Sequence, residues 1–272
     1  MNKEIGTAES AKKELSTVLE NNKHGFETVK PTNLIKRLVF HSATTNDLIL
    51  DFFAGSGTTG DAVMQLNAED AANGKGGKRK YILVQLPETI DPIKNKTAYD
   101  YVKNELGIAE PTIFEITKER LVKAGKKIAD TSGFKIFETQ PIWEDYEFEA
   151  EEFNSQATLF DESKLSAEGV KTLLTTWKTF DNIPLTQDLQ EIDFGGYSGY
   201  YGNEKLYLMD VGFNTGNLKK LLEEIDNNPV FNPTIIIVFG YHFESKSLRE
   251  ISENISLYAN KKSIDIDFIT RY

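Results

Sequence analysis

Apolar residues recur at helical spacing in some stretches and gather in short unbroken runs in others, and the two kinds of stretch alternate along the chain. The opening, to about Glu20, reads as a polar helix with a weak apolar face at Leu15, Val18 and Leu19. Lys30-Pro31 marks a turn, after which Leu34, Ile35, Leu38 and Val39 form an i, i+1, i+4, i+5 stripe, a short helix begun through Pro31 and Thr32. "DLILDFF" reads as a buried strand, "TTGDAVMQLNAED" as a helix, "NGKGGKRK" as a turn and "YILVQL" as a second buried strand. Strand, helix and strand with short joins predict a right-handed βαβ unit in a parallel sheet. Tyr99 to Leu106 and Thr117 to Ile128 carry helical spacing.

The stretch beginning "SGFKIFETQPIWEDYEFE" is acidic and aromatic with little helical period, and reads either as a connector that packs a few aromatics on a neighbour or as a solvated linker. Regular patterning resumes at Ser166. "SAEGVKTLLTTWKTF" is a helix with a Ser cap, and "EIDFGGYSGYYGNEKLYLMDV" gives short strands around Gly turns. "TGNLKKLLEEI" is a helix, "TIIIVFG" a buried strand, "SLREISENISLYA" a helix and "SIDIDFITRY" an alternating strand. The expectation is an α/β protein with domains at 1–130 and 166–272, joined by an acidic connector at 131–165 and without internal repeats.

Gly55, Gly57 and Gly60 satisfy G-x-G-x-x-G, the dinucleotide fingerprint. The physics of such a turn is general: glycines adopt positive φ and let a ligand approach the backbone, and the helix N-terminus offers N–H groups. No Lys-Ser or Lys-Thr follows the last glycine, which excludes a P-loop. Asp51 separates the remaining ligands. A carboxylate at the strand end repels a pyrophosphate and attracts an ammonium group. S-adenosyl-L-methionine, a sulfonium with an α-amino group and a ribose, fits that polarity. The plainer alternative is that Asp51 only caps the turn, and both roles are compatible. At the end of the next strand, Gln85 and Glu88 are the candidates for the ribose hydroxyls.

"KPTNLIKRLVF", "ILDFFAGSGTTGDAVMQLN" and "KRKYILVQLPE" resemble the DNA adenine-N6 methyltransferases of the β order, and most closely the modification subunits of type III restriction-modification systems. The similarity runs on through "GYYGNEKLYL", "IIIVFGYHF" and the final "RY". It implies a partial Rossmann-like S-adenosylmethionine-dependent methyltransferase domain followed by a smaller α/β C-terminal domain. By the resemblance, Lys30, Pro31 and Thr32 line the methionine end of the cofactor site, and Asp51, Phe52, Phe53, Ala54, Gly55, Ser56, Gly57, Thr58 and Thr59 form the cofactor turn. Gln85 stands where many relatives carry an acid, which keeps Glu88 as a second ribose candidate. The family's catalytic tetrapeptide, Asp/Asn/Ser-Pro-Pro-Tyr/Phe/Trp, holds the flipped adenine's amine. The chain contains no Pro-Pro pair, so no catalytic residue is assigned within it. In the β order the tetrapeptide and recognition region precede the cofactor motifs. The expectation is therefore a C-terminal part of a modification subunit, inactive alone. The implied partners are DNA through the full-length subunit, a second modification subunit and the restriction subunit.

Charge sharpens this picture. The net charge is −11, but residues 1–130 carry 19 basic against 18 acidic residues and residues 131–272 carry 12 against 24. Only the first part could approach phosphates without strong repulsion. "GKGGKRK" is its most basic stretch, a phosphate contact or a solvated turn. With no cysteine, no signal-like opening and no apolar run of membrane-spanning length, a cytoplasmic protein is expected. His24, His41 and His242 are too scattered to suggest a metal site or a Ser-His-Asp triad. Two rival readings are a non-catalytic assembly module and a nicotinamide-dependent oxidoreductase, the latter opposed by Asp51 and Lys30-Pro31.

Overall fold

The run "LILD" forms strand β1 (Leu48–Asp51) and pairs in parallel with β2 (Lys80–Leu83), in the register Leu48↔Lys80 to Asp51↔Leu83. This pair belongs to the first of two compact units, Met1–Phe134 and Lys135–Tyr272, in a computed structural model that describes residues 5–139 and 166–272. The expected acidic connector lies largely outside the described residues.

In the first unit, α1 (Ala8–Leu19) starts at a capping box in which Thr7 and Ser10 satisfy each other's backbone N–H groups. Its buried stripe, Ala11, Leu15 and Leu19, packs with Val29, Ile90, Tyr101, Val102 and Ile116. Helix α2 (Thr32–Ser42) begins behind Pro31, and α3 (Thr58–Ala72) links the two strands. The helix expected from Tyr99 starts earlier, as α4 (Lys96–Asp100), and continues as a π-helical turn over Tyr101–Glu105, where the Leu106 N–H donates to the Tyr101 carbonyl. Helix α5 (Ile113–Lys127) begins four residues before the expected Thr117, directly after Pro111 and Thr112.

Helices α2, α3 and α5 cover one face of the strand pair. Ile49 packs among Ile35, Val39, Val63 and Leu66, and Tyr81 and Leu83 pack on Met64, Leu121 and Ala124. The opposite face is open: Leu48 is 57% exposed, Leu50 59% and Ile82 47%, and Phe52, Val84 and Leu86 are exposed beside them. Both strands are thus buried on one side only, where the sequence predicts buried strands. The run of apolar residues shows which side chains avoid water in a finished sheet, and here a single helical layer is present among the described residues. The basic turn is partly consumed by the fold. Arg79 is buried, pairs with Asp70 at 2.5 Å and has its backbone bridged by Asn67, while Lys75, Lys78 and Lys80 remain exposed.

The second unit is a five-stranded sheet in the order β3 (Gln190–Asp193), β4 (Ser198–Gly202), β5 (Lys205–Leu208), β6 (Ile235–Phe239), β7 (Asp267–Arg271). The first three are antiparallel and the last three parallel. Helix α6 (Ala167–Phe180), capped by Ser166 as expected, covers one face through Leu173, Leu174 and Trp177 against Tyr207, Ile237 and Phe239. Helices α7 (Thr215–Asn227) and α8 (Ser245–Lys262) cover the other, with Leu218, Leu221, Ile251 and Ile255 against Leu206, Leu208, Ile236 and Val238. Among the described residues no helix is long and apolar enough to cross a membrane.

Asp181, the C-cap of α6, accepts two hydrogen bonds from Arg271 (2.6 and 2.8 Å) and one from the Tyr207 hydroxyl (2.8 Å). Burial pushes its carboxyl up, but the Arg271 and Tyr207 hydrogen bonds outweigh burial and hold it below the ordinary range. The folded carboxyl therefore titrates below the unfolded one. Its stabilisation is complete above about pH 4 and is lost as pH falls through the folded value. Urea titrations followed by tryptophan fluorescence should show the transition of this unit moving to lower urea under acid, and Asp181→Asn should flatten that acid limb.

Candidate cofactor site

The turn after β1 is built from side chains that hold its backbone. Asp51 Oδ1 accepts the Phe53 N–H at 3.0 Å and Oδ2 accepts the Thr59 hydroxyl at 2.6 Å. The capping role weighed from sequence is thus real, and each carboxylate oxygen keeps a further lone pair. The Ala54 N–H donates to the Val84 carbonyl at 3.1 Å, and the Gly57 N–H donates to the Ala54 carbonyl at 2.8 Å. Gln85 reaches the turn from the end of β2, accepting the Gly55 N–H on Oε1 at 2.7 Å and donating from Nε2 to the Leu86 carbonyl. The Thr117 hydroxyl, on α5, donates to the Gly55 carbonyl.

The glycines have different reasons. Gly57 is the N-cap of α3 at φ +76°, and a Cβ there would lie 3.3 Å from both Thr117 Cγ2 and the Thr117 carbonyl. Gly60 lets α3 approach α5, since its Cβ would meet Leu121 Cδ2 at 2.5 Å. Gly55 is at φ +52°, yet a Cβ there would meet only the Phe53 carbonyl, at 3.8 Å. That side of the turn is open to a ligand.

The predicted residues are brought together unevenly. The Lys30 carbonyl accepts from the Thr58 hydroxyl at 3.4 Å, and Pro31 and Thr32 are buried beside it. Ala54 and Ser56 to Thr59 are buried, whereas Phe52 and Phe53 project outward with ring centroids 5.0 Å apart, Phe53 being 83% exposed. Glu88 is exposed and joins the fold through its carbonyl, which accepts the Ile113 N–H at 3.0 Å. Of the two ribose candidates, Gln85 is the one whose side chain touches the turn. Among the described residues no three His, Cys, Asp or Glu side chains form a group able to hold a metal.

Sequence reasoning missed Arg120, Asp61 and Thr117. Arg120 is 0% exposed and donates to Asp61, Ser56, Thr58 and Thr32. A signal was available: Ile116, Arg120 and Ala124 share one helical stripe, and a charged residue on a core-facing stripe requires a partner. Arg120 and Asp61 balance one another's charge, which leaves the half-buried Asp51 carboxylate as the charge bonded directly to the turn's mouth.

The strand-turn-helix corner lies within a stretch of the chain that matches a known family. Residues 3–107 match the DNA methylase family, and residues 168–264 match the C-terminal domain family of type III restriction-modification EcoP15I. The chain is 38% identical over 252 residues to the type III restriction-modification enzyme EcoPI Mod subunit of Escherichia phage P1, covering 90% of this chain and 37% of that protein. It is 36% identical over 261 residues to the EcoP15I Mod subunit of Escherichia coli, covering 96% and 38%. The StyLTI Mod subunit of Salmonella typhimurium is 30% identical over 304 residues, covering 98% and 43%. The chain is therefore similar to type III Mod subunits along most of its own length, and it spans under half the length of these relatives.

Left-handed backbone strain in this turn is open to measurement. Gly57→Ala should destabilise the first unit by about 1–2 kcal/mol, with crowding against Thr117 added to the backbone term. Gly55→Ala, which meets open space, should cost only the backbone part, about 1 kcal/mol. Urea denaturation of the two variants should rank them in that order.

Proposed function

We propose that this chain carries the S-adenosylmethionine-binding part of a site-specific DNA adenine-N6 methyltransferase of the type III restriction-modification class. The observation that carries the reading is the contact of Lys30–Thr32, through Thr58 and Arg120, with a glycine turn whose backbone and first helical turn the Asp51 carboxylate holds. A dinucleotide site has no need of that neighbour, and a carboxylate in that place disfavours a diphosphate.

The residues present fit the cofactor. Asp51 has lone pairs left for an ammonium group, Gly55 offers open backbone, and Phe53 offers an exposed ring for a nucleobase. Gln85 and Glu88 remain the acceptors for ribose hydroxyls, with Lys30, Pro31 and Thr32 at the methionine end. The bound cofactor supplies an electrophilic methyl group on sulfur. The chain's own contribution is to bind and orient it. Holding an extruded adenine and reading a DNA sequence fall to a tetrapeptide and a recognition region that this sequence does not contain. The chain alone is accordingly without methyl-transfer activity.

The second unit, matched to a type III C-terminal domain family and strongly acidic, suits protein contacts better than DNA. We assign it to assembly with a second modification subunit and the restriction subunit, in the cytoplasm. A purely structural assembly module is the second reading, favoured by a turn whose Asp51 oxygens and Gly55 N–H already have partners within the chain.

Calorimetry separates the two. S-adenosylmethionine should give saturable heat and NAD none, and Asp51→Ala should weaken binding by about tenfold or more, as expected when a charge-assisted contact is lost. Labelled methyl incorporation into DNA should stay at background. Absence of heat at millimolar S-adenosylmethionine would leave only the assembly reading, and incorporation above background would overturn the inactivity.

A further inference from the structure

Arg120 lies on the core-facing stripe of α5 and has no exposure to solvent. Its donors are distributed in a particular way. Nε and Nη2 both reach Asp61 Oδ2, at 3.1 and 3.0 Å, in the first turn of α3. Nη2 also reaches Thr32 Oγ1 at 3.0 Å, at the start of α2. Nη1 reaches Thr58 Oγ1 at 2.8 Å, Ser56 Oγ at 3.2 Å and the Ser56 carbonyl at 3.4 Å.

Neutralising the charge needs Asp61 alone. The remaining acceptors belong to the glycine turn and its adjoining helix start, or to the Lys30–Thr32 element, segments separated by more than twenty residues of sequence. A planar fork of five donors can address these directions together, and a lysine ammonium cannot.

We infer that Arg120 is a positioning residue of the proposed cofactor site: it fixes the Lys30–Thr32 element against the glycine turn before any ligand arrives. The identity of the ligand rests on the reading above, whereas the mechanical coupling of the two segments does not. Ser56 and Thr58 hold one side of the guanidinium and Thr32 the other, so loosening the cation releases both segments at once. A role confined to fold stability would instead weaken the whole unit evenly.

The test is amide hydrogen exchange of the full chain, read by mass spectrometry over residues 28–34, 52–60 and α1, beside calorimetry with S-adenosylmethionine. In Arg120→Lys, exchange over 28–34 and 52–60 should accelerate together by about tenfold or more while α1 keeps its protection, and affinity should fall by a similar factor. Thr32→Val, which deletes one acceptor and keeps the shape, should loosen 52–60 as well as its own segment and weaken binding by a smaller factor. A folded Arg120→Lys protein with both segments protected as in the parent overturns the inference. So does uniform loss of protection across α1 and the site. If Arg120→Lys does not fold, unchanged exchange over 52–60 in Thr32→Val is the overturning result. Absence of binding by the parent chain would sink the cofactor reading, and the exchange pattern would still decide the coupling.

Discussion

A guanidinium withdrawn from water must be given both a counter-charge and acceptors for its remaining donors, and in the first unit that requirement organises the site. Arg120 meets it with Asp61 and with three hydroxyl groups and a carbonyl contributed by α2, the glycine turn and α3. Breaking such a pair by removing one partner typically costs about 3–5 kcal/mol, because the other charge is left buried and uncompensated. The bonds around it are therefore kept or lost as a set. The turn geometry, the seat of Lys30–Thr32 and the contact of α3 with α5 all depend on one side chain being satisfied.

The two units answer the same problem, parallel strands rich in apolar residues, in different ways. In the second, β5 and β6 send Leu206, Leu208, Ile236 and Val238 to one helical layer and Tyr207, Ile237 and Phe239 to another, and these side chains are almost wholly buried. The first unit has helices on one side of β1 and β2 and none on the other among the described residues. A parallel pair with one bare apolar face departs from the usual rule that both faces are covered.

Much of this was legible from residues near one another in sequence. Asp51, Gly55 and Gly57 announce a strand-turn-helix corner because backbone sign and capping chemistry are local. The Ser166 cap and the stripes of α6 to α8 are readable for the same reason. Strand length was less so: "DLILDFF" yields only Leu48–Asp51, because Asp51 draws the Phe53 N–H into the turn and ends the ladder. Burial of β1 and β2 was misjudged, since hydrophobicity records a preference and the covering layer is a separate matter. Arg120, Thr32, Ser56 and Asp61 meet only through the tertiary fold, and no spacing in the sequence points to the encounter. That the Gln85 side chain reaches the turn while Glu88 joins the fold through its carbonyl also needed coordinates, because both contacts are made across the fold, to Gly55 and to Ile113.

The bare face of β1 and β2 also bears on how copies of this chain behave in a crowded solution. Leucine, isoleucine, valine and phenylalanine stand together on a two-stranded sheet whose outer edges pair with no other strand among the described residues, the usual template for self-association. The counterweight is colloidal: residues 131–272 hold 24 acidic groups against 12 basic ones, and like-charged molecules repel.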